Sequence, residues 1–271
     1  MRLIKKIDEM EKYVKERKGD KIIGLVPTMG YLHEGHLSLI RKARKKCDEV
    51  IVSIFVNPTQ FGGGEDYQRY PRDIERDIKL SEREGIDIIF APSVEDMYPE
   101  NYSTFVQVEG KLSSVLEGAS RLGHFKGVCT VLTKLFNIIN PNLSFFGEKD
   151  YQQALIVKKM VKDLNIPTQI VLLPTVREKD GLAISSRNSY FNERERKAAT
   201  ILYKSLKEAR KWIKNGERDP SQIVDKMRNF IAKEPLTKID YIAVVNSESL
   251  EEVKEIKKGD LIALAVYIGK I

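Results

Sequence analysis

Near-continuous apolar runs alternate with longer stretches of helical spacing through the first part of the chain. The runs lie at residues 21–27, 50–56, 86–90, 143–146 and 169–173. Runs of this kind are typical of strands buried on both faces, whereas strict polar alternation is typical of half-exposed strands. The pattern therefore predicts a parallel sheet with helices on both faces.

Helical spacing of apolar residues predicts the elements between these runs. The opening segment has this spacing from Leu3 to Val14 and predicts one amphipathic helix that ends at Gly19. Further helices are predicted at 127–140 and 151–164.

The pattern changes after Val176, where a polar loop leads into two charged helical segments and two strand-like runs. These elements are predicted at residues 193–215, 221–233, 241–245 and 261–268. We therefore expect one domain at residues 1–175 and a smaller α+β domain at residues 176–271. The expected fold class is α/β, with a Rossmann-like parallel sheet in the first domain.

The overall charge leaves several classes of partner open. The 271 residues include 46 Lys and Arg against 39 Asp and Glu, a formal net charge of +7. Nucleic acid, anionic membranes and small anionic substrates are all compatible with this charge. With 42% hydrophobic and 31% charged residues, the composition is that of a folded chain and excludes a disordered one.

The cysteines and the apolar runs indicate the compartment. Cys47 and Cys129 are far apart and form no paired motif, so neither a zinc ribbon nor a disulfide framework is predicted. The opening residues are charged at every second or third position and lack the apolar core of a signal peptide. The longest apolar run, 261–268, is far shorter than the roughly 20 residues that span a bilayer. We expect a cytoplasmic protein without a membrane partner.

Candidate chemistry concentrates in the loops after the predicted strands, because open parallel sheets bind ligands at their carboxyl ends. The first such loop, PTMGYLHEGH at residues 27–36, enters a helix at about Glu34. It places His33 and His36 at a helix N-terminus, where backbone amides favour anions such as a triphosphate. The alternative is a helix entry whose histidines bond local carbonyls. Because two of the three histidines share this turn, the anion site is favoured.

The second loop, VNPTQF at residues 56–61, offers neutral donors and acceptors. The amides of Asn57 and Gln60 suit a substrate with hydroxyl and carboxylate groups, although Asn-Pro alone is typical of a plain turn. Glycines at 62–64 follow and predict either a mobile wall over the site or a flexible surface loop.

Two further loops carry groups that suit a nucleotide. In FGEKDYQQ, at residues 146–153, Lys149 can meet a phosphate and Asp150 can accept from ribose hydroxyls. In VREKDGLAISSRN, at residues 176–188, two hydroxyls and the guanidinium of Arg187 can bind phosphate oxygens. Each signal alone is also typical of a solvated polar loop.

Two of these loops resemble the motifs of a known enzyme family. PTMGYLHEGH resembles the HIGH motif of the nucleotidyltransferase superfamily and, more closely, the PTMGxLHxGH of pantothenate synthetases, also called pantoate–β-alanine ligases. LAISSRN resembles the KMSKS-equivalent loop of that family, in which Met or Leu is frequent where this chain has Ile184. The matches run in the family's order from Pro27 to Asn188.

The resemblance implies an ATP-dependent condensation of pantoate with β-alanine. Pantothenate would form through pantoyl adenylate, with release of AMP and pyrophosphate. His36 is implied as catalytic, and Gln60 and Gln153 are implied in substrate binding. The residues implied in ATP binding are Met29, Gly30, Tyr31, Leu32, His33, Glu34, Gly35, His36, Gly147, Glu148, Lys149, Asp150, Val176, Ile184, Ser185, Ser186 and Arg187. The resemblance also implies a homodimer, and Mg²⁺ that accompanies the nucleotide without a dedicated metal site in the protein.

Two other classes remain open at the level of sequence. Another nucleotidyltransferase, or a fragment of a class I aminoacyl-tRNA synthetase, would share the HIGH-like turn. Against a synthetase, the chain lacks room for an anticodon-binding domain. A non-catalytic RNA-binding module would use the +7 charge, but it predicts basic residues interleaved with aromatic ones, and the sequence shows no such interleaving. We therefore expect small-molecule partners and no nucleic acid.

Overall fold

Six strands pair in parallel into one sheet in the computed structural model, which describes residues 1–17 and 21–271. The strands are β1 (Arg2–Ile4), β2 (Ile23–Thr28), β3 (Glu49–Ile54), β4 (Ile88–Phe90), β5 (Leu143–Gly147) and β6 (Gln169–Leu173). Their order across the sheet is β1-β4-β3-β2-β5-β6. Nearly every residue of β2 and β3 is buried, as expected for strands covered on both faces. The predicted parallel sheet is confirmed.

Helices connect these strands and pack against the sheet. They are α1 (Ile7–Glu16), α2 (Glu34–Arg44), α3 (Ile74–Arg83), α4 (Val94–Met97), α7 (His124–Ile139) and α8 (Tyr151–Asp163). Helix α2 contacts β2, β3 and β5, and α8 contacts β5 and β6. Asp73 begins α3, because its carboxylate accepts a hydrogen bond from the Arg76 amide at 3.0 Å. Phe145 of β5, fully buried, packs in the core between sheet and helices.

The opening segment differs from its prediction. Leu3 and Ile4 belong to β1, which pairs with β4, and the helix begins only at Ile7. Ile4 is fully buried beside the sheet, so pairing with β4 outweighs the helical spacing of this short run. The predicted helix end at Gly19 lies outside the described residues.

The described chain divides into two compact units. The first consists of residues 1–108 and 121–176, and the second of 109–120 and 177–271. The second unit contains the helices α5 (Lys111–Ser114), α6 (Glu117–Ser120), α9 (Glu193–Ala198), α10 (Ile201–Lys214) and α11 (Pro220–Ile231). Its antiparallel strands are β7 (Thr237–Val245) and β8 (Leu261–Ile268). This α+β content agrees with the predicted fold class.

The second unit has its own apolar core, built from α10, α11 and the β7–β8 sheet. Ala209, Ile223, Met227 and Ile242 are buried in it, and Trp212 packs against them. The single helix predicted at 193–215 is wrong, since the chain forms α9 and α10 with a break between them.

Two further sequence expectations can be compared with the described residues. Cys47 and Cys129 are both free thiols and both buried. Within the described part of the chain, every helix falls short of the length and apolar character that crossing a membrane requires.

Candidate active site

The carboxyl ends of β2, β3 and β5 form the edge of the sheet that carries the predicted chemistry. From β2 the chain passes to β3 on one side, whereas β5 and β6 extend the sheet on the other side. Ligands of open α/β sheets bind at such a reversal of strand order. The loops at residues 29–33, 55–61 and 148–150 all begin at this edge.

The turn after β2 has a left-handed backbone and is held by a buried carboxylate. Gly30 and Tyr31 have φ angles of 80° and 50°. The amides of Tyr31 and Leu32 each donate to the carboxylate of Asp77 on α3, both at 2.7 Å. Sequence reasoning missed Asp77, because nothing in the local pattern of α3 distinguishes it from an exposed helical carboxylate.

His33 and His36 form a stacked pair at the start of α2. Their ring centroids are 4.0 Å apart with an interplanar angle of 21°. The His33 amide donates to His36 Nδ1 at 3.3 Å, so a neutral His36 carries its proton on Nε2. A Cβ at Gly35 would lie 2.9 Å from the His33 ring, so the glycine makes room for that imidazole.

Both imidazoles are neutral at pH 7 in the free protein. Burial lowers the pKa of His33 to about 4, and the Lys149 ammonium acts in the same direction. Burial, followed by the neighbouring His33, lowers the pKa of His36 to about 3. The site therefore presents hydrogen-bond donors of neutral rings rather than imidazolium charges.

The other residues of the first loop differ in what they present. Glu34 and Gly35 are the first two residues of α2, and their amides donate to no acceptor in the described part of the chain. Amides in this position can donate hydrogen bonds to an anion. The Glu34 carboxylate pairs instead with Arg41. Leu32 is fully buried. Met29 is half-buried beside Gln60.

The loop after β5 adds one cation close to the imidazoles. Glu148–Asp150 form a single 3₁₀ turn, and Lys149 Nζ lies 3.1 Å from Asp150 Oδ1. The charges of Lys149 and Asp150 act on the pKa of both histidines, in opposite directions. Gln153 is half-buried in the first turn of α8.

Gln60 is held with a defined side-chain orientation. Its Oε1 accepts from Asn57 Nδ2 at 3.0 Å, and its Nε2 lies 3.3 Å from Met29 Sδ. Asn57 also donates to the Gly127 carbonyl and accepts from the Tyr98 hydroxyl at 2.8 Å. The Asn57 amide is thus engaged within the protein, contrary to the suggestion that it faces a substrate. The Asn57 contact fixes the Gln60 oxygen, so the NH₂ group of Gln60 lies on the side of Met29.

The start of α7 fixes the backbone of the same loop. His124 Nδ1 lies 2.8 Å from the Gln60 carbonyl, and Arg121 Nη2 lies 3.4 Å from it. Arg121 also pairs with Glu65 at 2.7 Å. A Cβ at Gly127 would overlap the Thr59 carbonyl, so only glycine permits this approach. The sequence prediction began the helix at Gly127, whereas the helix begins at His124, so that Gly127 lies within its first turns and permits this close packing.

The fourth predicted loop belongs to the second unit. Ser185 begins a 3₁₀ turn over Ser186–Tyr190, and its Oγ accepts from the Arg187 amide at 3.3 Å. Ser186 is buried, whereas Ile184 and Arg187 are half-buried.

The first unit therefore brings together the predicted residues of three loops. The rings of His33 and His36 stack, and the Met29 sulfur contacts the Gln60 side chain. The charge of Lys149 lowers the pKa of both imidazoles. Val176 lies at the end of this unit, after β6. The predicted phosphate ligands at 184–187 belong to the other unit.

The fold and the site define a Rossmann-like α/β protein whose polar loops gather where the strand order reverses. A family model described as pantoate-beta-alanine ligase matches residues 2–271. The chain belongs to this family.

Named relatives span nearly the whole chain. A pantothenate synthetase of Carboxydothermus hydrogenoformans is 56% identical over 270 residues, which cover 99% of this chain and 95% of that protein. A pantothenate synthetase of Thermotoga neapolitana is 55% identical over 271 residues, covering 100% and 96%.

Solved structures are similar over the same length. The pantothenate synthetase of Thermus thermophilus superposes with a TM-score of 0.95 at 44% identity, covering 100% of this chain and 96% of that one. A pantoate-beta-alanine ligase of Francisella tularensis, complexed with beta-gamma ATP and beta-alanine, has a TM-score of 0.83 at 36% identity, covering 100% and 95%.

The depressed imidazole pKa values predict how the protein responds to acid. The ring-proton NMR signals of His33 and His36 should not titrate between pH 8 and pH 5. Unfolded imidazoles, with a pKa near 6.5, bind protons that the folded ones do not, so these residues lower the free energy of unfolding as pH falls from about 6.5 toward 4. His36→Gln should weaken that pH dependence, and a signal titrating near pH 6.5 for either ring contradicts the assignment.

The close approach at Gly127 predicts a position-specific cost. Gly127→Ala should destabilise the protein by about 1–3 kcal/mol, because the new methyl group overlaps the Thr59 carbonyl. Gly63→Ala is the matched control, since no atom lies within 4 Å of the added Cβ, and it should change stability by less than about 0.5 kcal/mol. Chemical denaturation measures both, and equal stability of the two variants refutes the packing argument.

Proposed function

We propose that this chain joins pantoate to β-alanine in an ATP-dependent reaction. In the first step the pantoate carboxylate attacks the α-phosphorus, forming pantoyl adenylate and releasing pyrophosphate. In the second step the β-alanine amine attacks the acyl carbon, forming pantothenate and releasing AMP. Family membership and the Francisella relative with its bound ligands support this reaction. The observation that carries it here is the histidine pair at the α2 N-terminus, beside the strand reversal.

The adenylation step brings an anion to an anion, so the site must stabilise negative charge that moves to the pyrophosphate. We assign this task to the amides of Glu34 and Gly35, to the Nε2–H of neutral His36 and to Lys149. Donors held in place before the reaction need no reorganisation when charge develops. His33 supports His36 by stacking and by its amide hydrogen bond.

Gln60 and Gln153 are the proposed pantoate ligands, with Gln60 also near β-alanine. The orientation that Asn57 imposes on Gln60 supports this role, because the NH₂ group suits a carboxylate or hydroxyl oxygen. Gln153 lies on α8, directly after the Lys149 turn.

The adenosine end is assigned to Gly147, Glu148, Asp150 and Val176. Gly147 has an ordinary extended backbone, and an added Cβ would meet only the Lys149 amide nitrogen, at 4.0 Å. Neither conformation nor packing of the protein demands a glycine there, which supports close approach of a ligand.

The assignment of whole domains remains a proposal. Residues 1–175 would bind nucleotide and substrate, and 176–271 would serve as a lid that carries Ile184, Ser185, Ser186 and Arg187 to the phosphates. The cap geometry of Ser185 and the half-buried guanidinium of Arg187 are compatible with that task.

Mg²⁺ would enter with the nucleotide. No group of three or more His, Cys, Asp or Glu side chains among residues 1–17 and 21–271 is arranged to hold a metal ion. In nucleotide sites Mg²⁺ usually takes most of its ligands from phosphate oxygens and water. When bound, the ion would neutralise phosphate charge.

We further propose a homodimer located in the cytoplasm. The free, buried thiols suit a reducing compartment. An exposed segment at 103–107 supports association, because the amides of Thr104, Phe105 and Gln107 find no acceptor in the described chain. Its β-branched and aromatic residues suit pairing with a second copy.

The reaction predicts a defined assay result. Pyrophosphate release should require both ATP and pantoate, and pantothenate should form only when β-alanine is added. His36→Ala should slow pyrophosphate release about 10²- to 10³-fold, the scale for loss of one electrostatic stabiliser. A near-normal rate in this variant would exclude His36 from catalysis, while pyrophosphate release without pantoate would refute the proposed reaction.

The exposed segment predicts where association occurs. Phe105 is 43% exposed. The Phe105→Glu substitution should convert the dimer to a monomer in analytical ultracentrifugation, because two like charges would meet across the interface. Leu164→Glu, at a residue 50% exposed beyond α8, is the control and should remain dimeric. A dimeric Phe105→Glu protein places the interface elsewhere.

A further inference from the structure

Asp77 is a charged side chain that the proposed reaction does not use. It lies on α3 and is 1% exposed, and its two carboxylate oxygens accept from the amides of Tyr31 and Leu32, both at 2.7 Å. Hydrogen bonds of this length to a carboxylate are among the stronger ones in proteins. The Arg76 guanidinium lies farther away, with its Nη1 atom 3.7 Å from Asp77 Oδ1. The carboxylate is therefore held mainly by two backbone amides.

The backbone that these bonds hold is unfavourable by itself. Tyr31 has a φ angle of 50°, a left-handed conformation that residues other than glycine rarely adopt. Such a conformation persists only where the surrounding structure holds it. A Cβ at Gly30 would lie 3.0 Å from Asp77 Oδ2 and from the Ile54 side chain, so the turn is also closely packed.

The held turn leads directly into the imidazole pair. Leu32, whose amide Asp77 binds, is followed by His33, and the His33 amide donates to His36 Nδ1. Any shift of the Tyr31–Leu32 peptides would therefore move the N-terminus of α2 and both rings. The rings have little freedom to compensate, because they stack at 4.0 Å and Gly35 only just admits the His33 ring.

We propose that Asp77 is a positioning residue for adenylyl transfer, which acts through the amides of Tyr31 and Leu32 on the His33–His36 pair and never touches substrate. The inference rests on the proposed function, because it assigns the imidazoles to that reaction. A carboxylate suits this place because each oxygen takes one amide. An isosteric amide side chain would keep one acceptor and turn an NH₂ group toward the second amide.

The test compares Asp77→Asn with Asp73→Asn in the full-length protein. Asp73 begins the same helix, and asparagine caps a helix as well as aspartate does. We expect Asp77→Asn to lower kcat for pantoate-dependent pyrophosphate release about 10- to 100-fold, as for a small misplacement of reacting groups. The KM for pantoate should change by less than about threefold, because Gln60 is held by other contacts. Asp73→Asn should stay within about twofold in both parameters.

Two NMR measurements separate positioning from a merely structural role. In a folded Asp77→Asn protein the ring signals of His33 and His36 should shift, whereas those of Asp73→Asn should match the parent. An unchanged kcat, or unshifted ring signals, in folded Asp77→Asn overturns the proposal. If all proteins fail to release pyrophosphate, the proposed function is wrong, and the ring signals still test the positioning.

Hydrogen exchange in the unaltered protein covers the case in which Asp77→Asn does not fold. The amides of Tyr31 and Leu32 should exchange far more slowly than those of Glu34 and Gly35, which have no acceptor in the described chain. Exchange of Tyr31 and Leu32 as fast as that of the two later amides refutes the hydrogen bonds on which the inference depends.

Discussion

Parallel pairing of β2 with both β3 and β5 is the constraint on which the site depends. Parallel strands must all be left at the same edge of a sheet, so the loops after Thr28, Ile54 and Gly147 begin side by side although they are far apart in the sequence. The strand order reverses next to β2, which is where open α/β sheets bind their ligands. The α2 N-terminus, Gln60 and Lys149 each follow a different strand, β2, β3 and β5, and so lie at this one edge.

The chemistry of this edge of the sheet is that of oriented neutral donors rather than of accumulated charge. Both imidazoles have a depressed pKa, and Lys149 is balanced by Asp150. The net charge of +7 therefore says little about this site, since most of the positive side chains lie elsewhere on the molecule. In the proposed adenylation step, neutral donors fixed by the fold would bind phosphate without the large desolvation cost of a buried cation, and they would stay in place when charge moves.

The sequence pattern predicted the strands and helix ends that depend mainly on neighbouring residues. Buried apolar runs predicted five of the six parallel strands, and the glycine and histidines of the first loop predicted the α2 N-terminus. Leu3 and Ile4 were misassigned because a three-residue strand is defined by its partner β4 and not by its own spacing. For the same reason Asp77 was missed and Asn57 was assigned to a substrate rather than to Gln60. Their roles depend on Tyr31, Leu32 and Gln60, which only the folded chain brings to them.

The position of Asp77 indicates that geometry outweighs charge in this turn. In the proposed reaction a buried carboxylate in this turn would repel the phosphates, and burial itself raises the pKa of the group. The two amide bonds oppose that shift and favour the ionised form. The same bonds remove the amides of Tyr31 and Leu32 from competition for the ligand, so that the donors left at the helix start are those of Glu34, Gly35 and the imidazole Nε2. Under the proposed function the carboxylate would thus determine which donors are available to the phosphate, although its charge would weaken the attraction between the loop and the phosphate.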